Sequence, residues 1–169
     1  IISREQATEW FDLDNVGRSP SRFDFKKLGN LNGHYIREAD NARLADIAAP
    51  RIEALIARSL NHAEQALLVT AMECLKPRAK TMLEIADGAT FLFTSLPLQF
   101  EEKAAQQLHD APDGLLSAVT EKLRAIEGWA AEDIENAVRS TSEEAGLGLG
   151  KLAQPLRAAL TGRTISPGI

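Results

Sequence analysis

Helix punctuation limits what this chain can fold into more than any other feature. Apolar residues recur at spacings of three and four, and caps or breakers interrupt them at short intervals. Ser3 with Gln6 three positions later is a capping-box pattern and predicts a short helix over 3–11. Residues 12–21, DLDNVGRSPS, read as a loop broken by Gly17 and Pro20. Over 22–38, Phe25, Leu28, Leu31 and Tyr35 fall at helical spacing. Gly29 and Gly33 inside that run cost roughly 1 kcal/mol each against alanine, which predicts that a neighbour packs closely there. Asp40 or Asn41 caps the next helix, which carries Leu44, Ile47, Ile52, Leu55 and Ile56, with Pro50 kinking or dividing it. Asn61 caps another, with Ala66, Leu67, Val69, Ala71 and Leu75 inward and Pro77 after its end. A shorter helix interrupted at Gly88 is expected over 79–93, and SLPLQ at 95–99 reads as an extended boundary. Helices follow at 99–109, 112–126 and 130–145, then a GLGLG loop at 146–150 and a last helix over 151–161. No stretch alternates polar and apolar residues between hairpin signals, so the predicted fold class is all-α, with many short helices. Aromatic residues at 5% also argue against a sandwich or barrel.

With 169 residues the chain can bury a real core, as one large domain or two small ones. No apolar run approaches the roughly 18 residues of a membrane span. The start IISREQATEW lacks the basic and apolar regions of a signal peptide. It also lacks an initiator Met, which reads as a piece of a longer protein. Cys74, the single cysteine, is placed on an apolar helix face, and a reduced, cytoplasmic setting suits it. The three histidines lie far apart and none pairs with cysteine at ligand spacing, so no metal site is expected.

Charge is uneven along the chain. The net formal charge is -5, yet Lys151, Arg157 and Arg163 face no acid anywhere from 145 to the end, and KPRAK at 76–80 gathers three cations. Local arginine and lysine density matters more for a phosphate backbone than net charge does. GLGLG follows a helix and lacks the strand–turn–helix context of a dinucleotide cradle, so it reads as a cap and loop. Glu101 with Glu102, and Glu143 with Glu144, read as solvated helix faces, and no nucleophile–base pair stands out. In NLNGHYIRE, an inward Tyr35 beside an exposed His34 is the bland expectation. The functional one is RNA backbone contact by Asn32 and His34. In KPRAKT, a solvated basic turn is the bland expectation, and the functional one sets Arg78 on a base edge and Lys76 and Lys80 on phosphates. In LAQPLRAALTGRTISPG, a capped helix followed by a turn is the bland expectation; the functional one reads Pro155 as a rigid helix entry presenting Arg157, with Ser166 before a Pro-Gly turn fit to meet splayed-out bases.

These segments carry a resemblance. SRFDFKKLGNLNGHYIRE resembles the part of bacterial glutamyl-tRNA synthetases that follows the catalytic signature loop and contacts the inner side of the tRNA. LKPRAKTMLEIADGATFLF is similar to the first half of their anticodon-binding cage, and KLAQPLRAALTGRTISPGI to the segment that holds the anticodon. The resemblance covers essentially the whole chain. It implies an irregular multi-helix cage or superhelix, with a stem-contact remnant at 1–42 and anticodon-binding subdomains at 43–98 and 99–169, lacking the family's last helix. It implies a C-terminal part of an ATP-dependent glutamate–tRNA ligase, a class I synthetase. The HIGH-like and KMSKS-like motifs are absent from this sequence, so ATP, Mg, glutamate and zinc sites are not expected in this piece. Residue by residue, Arg157 matches the arginine at the first anticodon base and Ser166 a hydroxyl residue at the central uracil. Ile169 matches an apolar residue near the third base. Arg78 matches the position that favours cytosine over guanine there, leaning toward tRNA-Glu over tRNA-Gln. Lys151 and Arg163 are added as candidate RNA backbone contacts. The implied partner is tRNA-Glu, with no DNA and no membrane, for a cytoplasmic monomer. Two alternatives stand beside this: a duplicated or non-discriminating homologue that charges tRNA-Gln, and a helical protein-interaction module using the acidic 100–144 surface.

Overall fold

The computed structural model describes residues 2–17, 19–20 and 22–166. Among them the chain forms helices α1 (Arg4–Trp10), α2 (Phe25–Glu38), α3 (Asn41–Ile56), α4 (His62–Leu75), α5 (Met82–Ala89), α6 (Glu102–His109), α7 (Leu115–Arg124), α8 (Ala131–Glu144) and α9 (Leu149–Thr161), and no strand. Short 3-10 turns lie at Leu13–Asn15 and Thr90–Leu92. Local signals set many of the starts. Ser3 and Gln6 close a reciprocal capping box, and Asn61 and Glu64 close a second. Asp24, Asp40 and Thr81 cap α2, α3 and α5.

Three helix punctuators act differently from the sequence reading. α3 runs unbroken through Pro50. Proline removes the bond to the carbonyl four residues back, here Asp46, but both residues are exposed, so water can satisfy that oxygen. Leu44, Ala45 and Ala48 before it and Ile52 after it are buried, which holds the helix on both sides. α5 passes through Gly88 without a break. α9 starts at Leu149, so it takes in the end of GLGLG and places Pro155 in its interior, buried, where an entry position was expected.

Among the described residues two hydrophobic cores form. The first gathers Ile36 of α2, Leu44, Ala45, Ala48 and Ile52 of α3, Leu68, Met72 and Leu75 of α4, Ile85, Ala86 and Ala89 of α5, and Phe93. The second gathers Leu115 and Val119 of α7, Val138 of α8, and Leu152 and Leu156 of α9, with α6 packed on α9. Ile52, Leu68, Met72 and Ile85 are fully buried, each stabilising the fold by about 1.5–3 kcal/mol relative to exposure. The inward face of α3 carries Ala45 and Ala48, small enough to bring α4 and α5 close, while Ile47 and Leu55 face out. On α4 the buried set is Leu68, Met72 and Leu75; Leu67 faces out.

α2 has the predicted period but not the predicted burial. Phe25, Leu28, Leu31 and Tyr35 are all exposed, whereas Gly33 and Ile36 are buried. The helix meets the first core only through its C-terminal half. A Cβ at Gly33 would stand 3.3 Å from Lys80 Cγ and 3.4 Å from the Ala79 carbonyl oxygen, so glycine permits that approach. Gly29 faces open space and has no such partner.

Candidate nucleic-acid interface

Arg78 sits on the turn between α4 and α5, held by Arg78 N–H to Leu75 O and Ala79 N–H to Lys76 O. This places its guanidinium on the edge of the first core. Arg157 lies on α9, which belongs to the second core. Both reach the same residue. Arg78 Nη1 donates to the Ser166 carbonyl at 2.9 Å, and Arg157 Nε donates to the Ser166 hydroxyl at 2.8 Å. The sequence singled out all three, and the fold brings them together. Each guanidinium spends one of its five N–H donors here.

The segment that carries Ser166 is anchored upstream. Gly162 ends α9 with φ 70°, donates to Ala158 O and accepts from Glu101 N–H at 2.9 Å. A Cβ at 162 would lie 2.4 Å from the Gln99 carbonyl, so no side chain fits. Arg163 N–H donates to Thr161 Oγ1 at 3.1 Å. The Arg163 guanidinium donates from Nη1 to Asp87 O at 2.9 Å and lies 3.5 Å from Glu101 Oε1. Asp87 is on α5 of the first core, and Glu101 immediately precedes α6.

Arg78, Ser166, Ile165 and Arg163 line a cleft of about 400 Å³ with Cys74, Leu75, Ala79, Gly88, Glu84, Asp87 and Glu101. Cys74 is exposed here, not turned onto an apolar face. Three acids share the cleft with two arginines. Such a mixture is a poor trough for phosphates and a reasonable place for neutral base edges, which need donors and acceptors more than net charge.

The other expected contacts scatter. Lys76 Nζ turns inward and donates to Ala39 O at 2.9 Å, closing the C-terminus of α2. The Asn32 amide donates to Lys80 O. His34 is half-buried and packs edge-on against the exposed Tyr35, the reverse of the expected exposures. Lys80 and Lys151 are exposed. Ile169 lies outside the described residues. Sequence reasoning missed Asp87, Glu101 and Gly162 as parts of the site. Gly162 after a helix was a readable cap signal; the carboxyl and carbonyl partners of Arg163 gave no local signal.

Fold and cleft define an all-helical domain of two packed cores with a guanidinium-lined cleft at their junction. Residues 42–169 match the family described as anticodon binding domain, and the chain belongs to that family. A glutamate–tRNA ligase 1 of Sphingopyxis alaskensis is 67% identical over 171 residues, spanning 100% of this chain and 35% of that protein. A glutamate–tRNA ligase 2 of Zymomonas mobilis is 57% identical over 169 residues, again 100% of this chain and 35% of that protein. The crystal structure of a glutamate tRNA ligase from Elizabethkingia meningosepticum in complex with its amino acid superposes with a TM-score of 0.74 at 25% identity, over 99% of this chain and 32% of that one. The chain thus spans about a third of the length of the relatives it matches. No helix among the described residues is long and apolar enough to cross a membrane.

Proposed function

We propose that this chain is the anticodon-reading part of a glutamate–tRNA ligase. The observation that carries the reading is the convergence of Arg78 and Arg157 on Ser166, which lines the cleft together with Arg78. The Arg157 fork meets the first anticodon base, Ser166 the central uracil, and the Arg78 fork the third base. Cytosine offers acceptors to a guanidinium where guanine presents a donor, so Arg78 favours tRNA-Glu over tRNA-Gln by about 1–3 kcal/mol. Exposed Lys80 and Lys151 add phosphate attraction without base choice. Residues 43–98 and 99–169 form the two halves of the grip, and 1–42 meets the tRNA stem.

The intact cytoplasmic enzyme, acting as a monomer, forms glutamyl-adenylate from ATP and glutamate in a separate catalytic domain and passes glutamate to the tRNA 3′ end. Binding energy gathered here is spent on orienting the acceptor end there. Gel shifts at low salt test the binding step, with tRNA-Glu, tRNA-Gln and a tRNA-Glu transcript altered in its anticodon. Tighter binding of tRNA-Glu is expected. Equal binding of all three would refute base reading.

A further inference from the structure

Arg163 looks at first like one more cation for the RNA backbone. Its contacts say otherwise. Its Nη1 is spent on Asp87 O, on α5 of the first core, and its Nε faces Glu101 at the entry to the second. Beside it, Gly162 O is held by Glu101 N–H. The strand of backbone from Gly162 to Ser166 is therefore pinned at its start to both sides of the junction. Three residues on, Ser166 is met by Arg78 and Arg157, one from each core.

We infer that Arg163 is a positioning residue for anticodon reading, acting through the 162–166 strap and not by touching RNA. This rests on the functional reading above. A guanidinium satisfies the tie because one rigid plane donates Nη1 to the Asp87 carbonyl and sets Nε in ion-pair range of Glu101. Lysine offers one flexible point charge, so it keeps the charge and loses the tie. A phosphate contact has the opposite signature, since charge alone sustains it and its loss lowers the salt dependence of binding to a single-stranded loop by about 0.7 in log–log slope.

The test uses the full-length protein with Arg163→Lys and Arg163→Ala. Three quantities are measured: affinity for tRNA-Glu and for the same transcript with its third anticodon base changed to guanine, the salt slope of each, and amide exchange at 164–166. In both variants the preference for the cognate transcript falls about tenfold, exchange at 164–166 accelerates, and the salt slope stays as in the parent. Arg163→Lys retains the charge and most of the packing, so it reports even where Arg163→Ala fails to fold. A discriminating parent beside a fully competent Arg163→Lys, or a slope reduced by about 0.7 with discrimination intact, overturns the positioning role alone. A parent that binds both transcripts alike overturns the anticodon reading, and this role with it.

Discussion

Arg78 Nη1 and the Ser166 carbonyl oxygen are 2.9 Å apart although 88 positions separate them in the chain. The bond joins the first core to the segment that leaves the second. With Arg157 on the hydroxyl of the same serine, it makes the two arginines partners through a shared residue.

That sharing predicts non-additivity. Arg78→Ala and Arg157→Ala should each lower kcat/KM for tRNA by about 1–3 kcal/mol of transition-state stabilisation. The double variant should differ from the sum of the singles by at least about 0.5 kcal/mol, because the groups share a partner. Steady-state charging by the parent enzyme and the three variants measures this. Strict additivity would mean that Ser166 does not link the two arginines.

The glycines separate into three cases. Gly162 is left-handed, and a Cβ there lies 2.4 Å from a backbone oxygen. Gly162→Ala should therefore destabilise by more than about 2 kcal/mol, the conformational penalty plus a clash that backbone cannot easily relieve. Gly29→Ala, in open space on a helix, should stabilise by about 0.5–1 kcal/mol. Gly33→Ala, against the movable Lys80 side chain and the Ala79 carbonyl, should fall between them. Urea titrations of the three variants give the order.

Arg58 grips Glu64 with two hydrogen bonds, at 2.9 and 2.7 Å. Those bonds, helped by the Asn61 backbone N–H, hold the Glu64 carboxyl well below its ordinary value near 4.5, at about 2. A depressed folded-state value means stability that is present above the ordinary value and lost as pH falls from about 4.5 toward about 2. Glu64→Gln should flatten this part of the acid limb, read as denaturation midpoint against pH. An unchanged limb would show that the pair contributes nothing there.

How much of this was legible depended on range. Ser3 with Gln6 was readable because a capping box lies within four residues and its chemistry is local, and Asn61 was readable as a cap, although its return partner Glu64 was not named. Pro50 misled because proline breaks a helix only where its lost bond cannot be replaced, and flanking burial of Ala48 and Ile52 decided the matter. The period of α2 was legible; that Phe25 and Leu28 would remain uncovered was not, since periodicity says which residues share a face and not what lies opposite. Arg78, Arg157 and Ser166 could be named individually. Their convergence, and the pairing of Arg163 with Asp87 and Glu101, depends on long-range packing that leaves no mark in spacing.

The central claim is that the cleft at Ser166 reads anticodon bases. The most direct measurement is charging kinetics of full-length enzyme carrying Arg157→Ala or Arg78→Ala, with tRNA, ATP and glutamate varied in turn. Loss of about five- to 150-fold in kcat/KM for tRNA, with KM for ATP and glutamate nearly unchanged, is the expected result. Unchanged tRNA kinetics in both variants, or equal loss toward all three substrates, would contradict it.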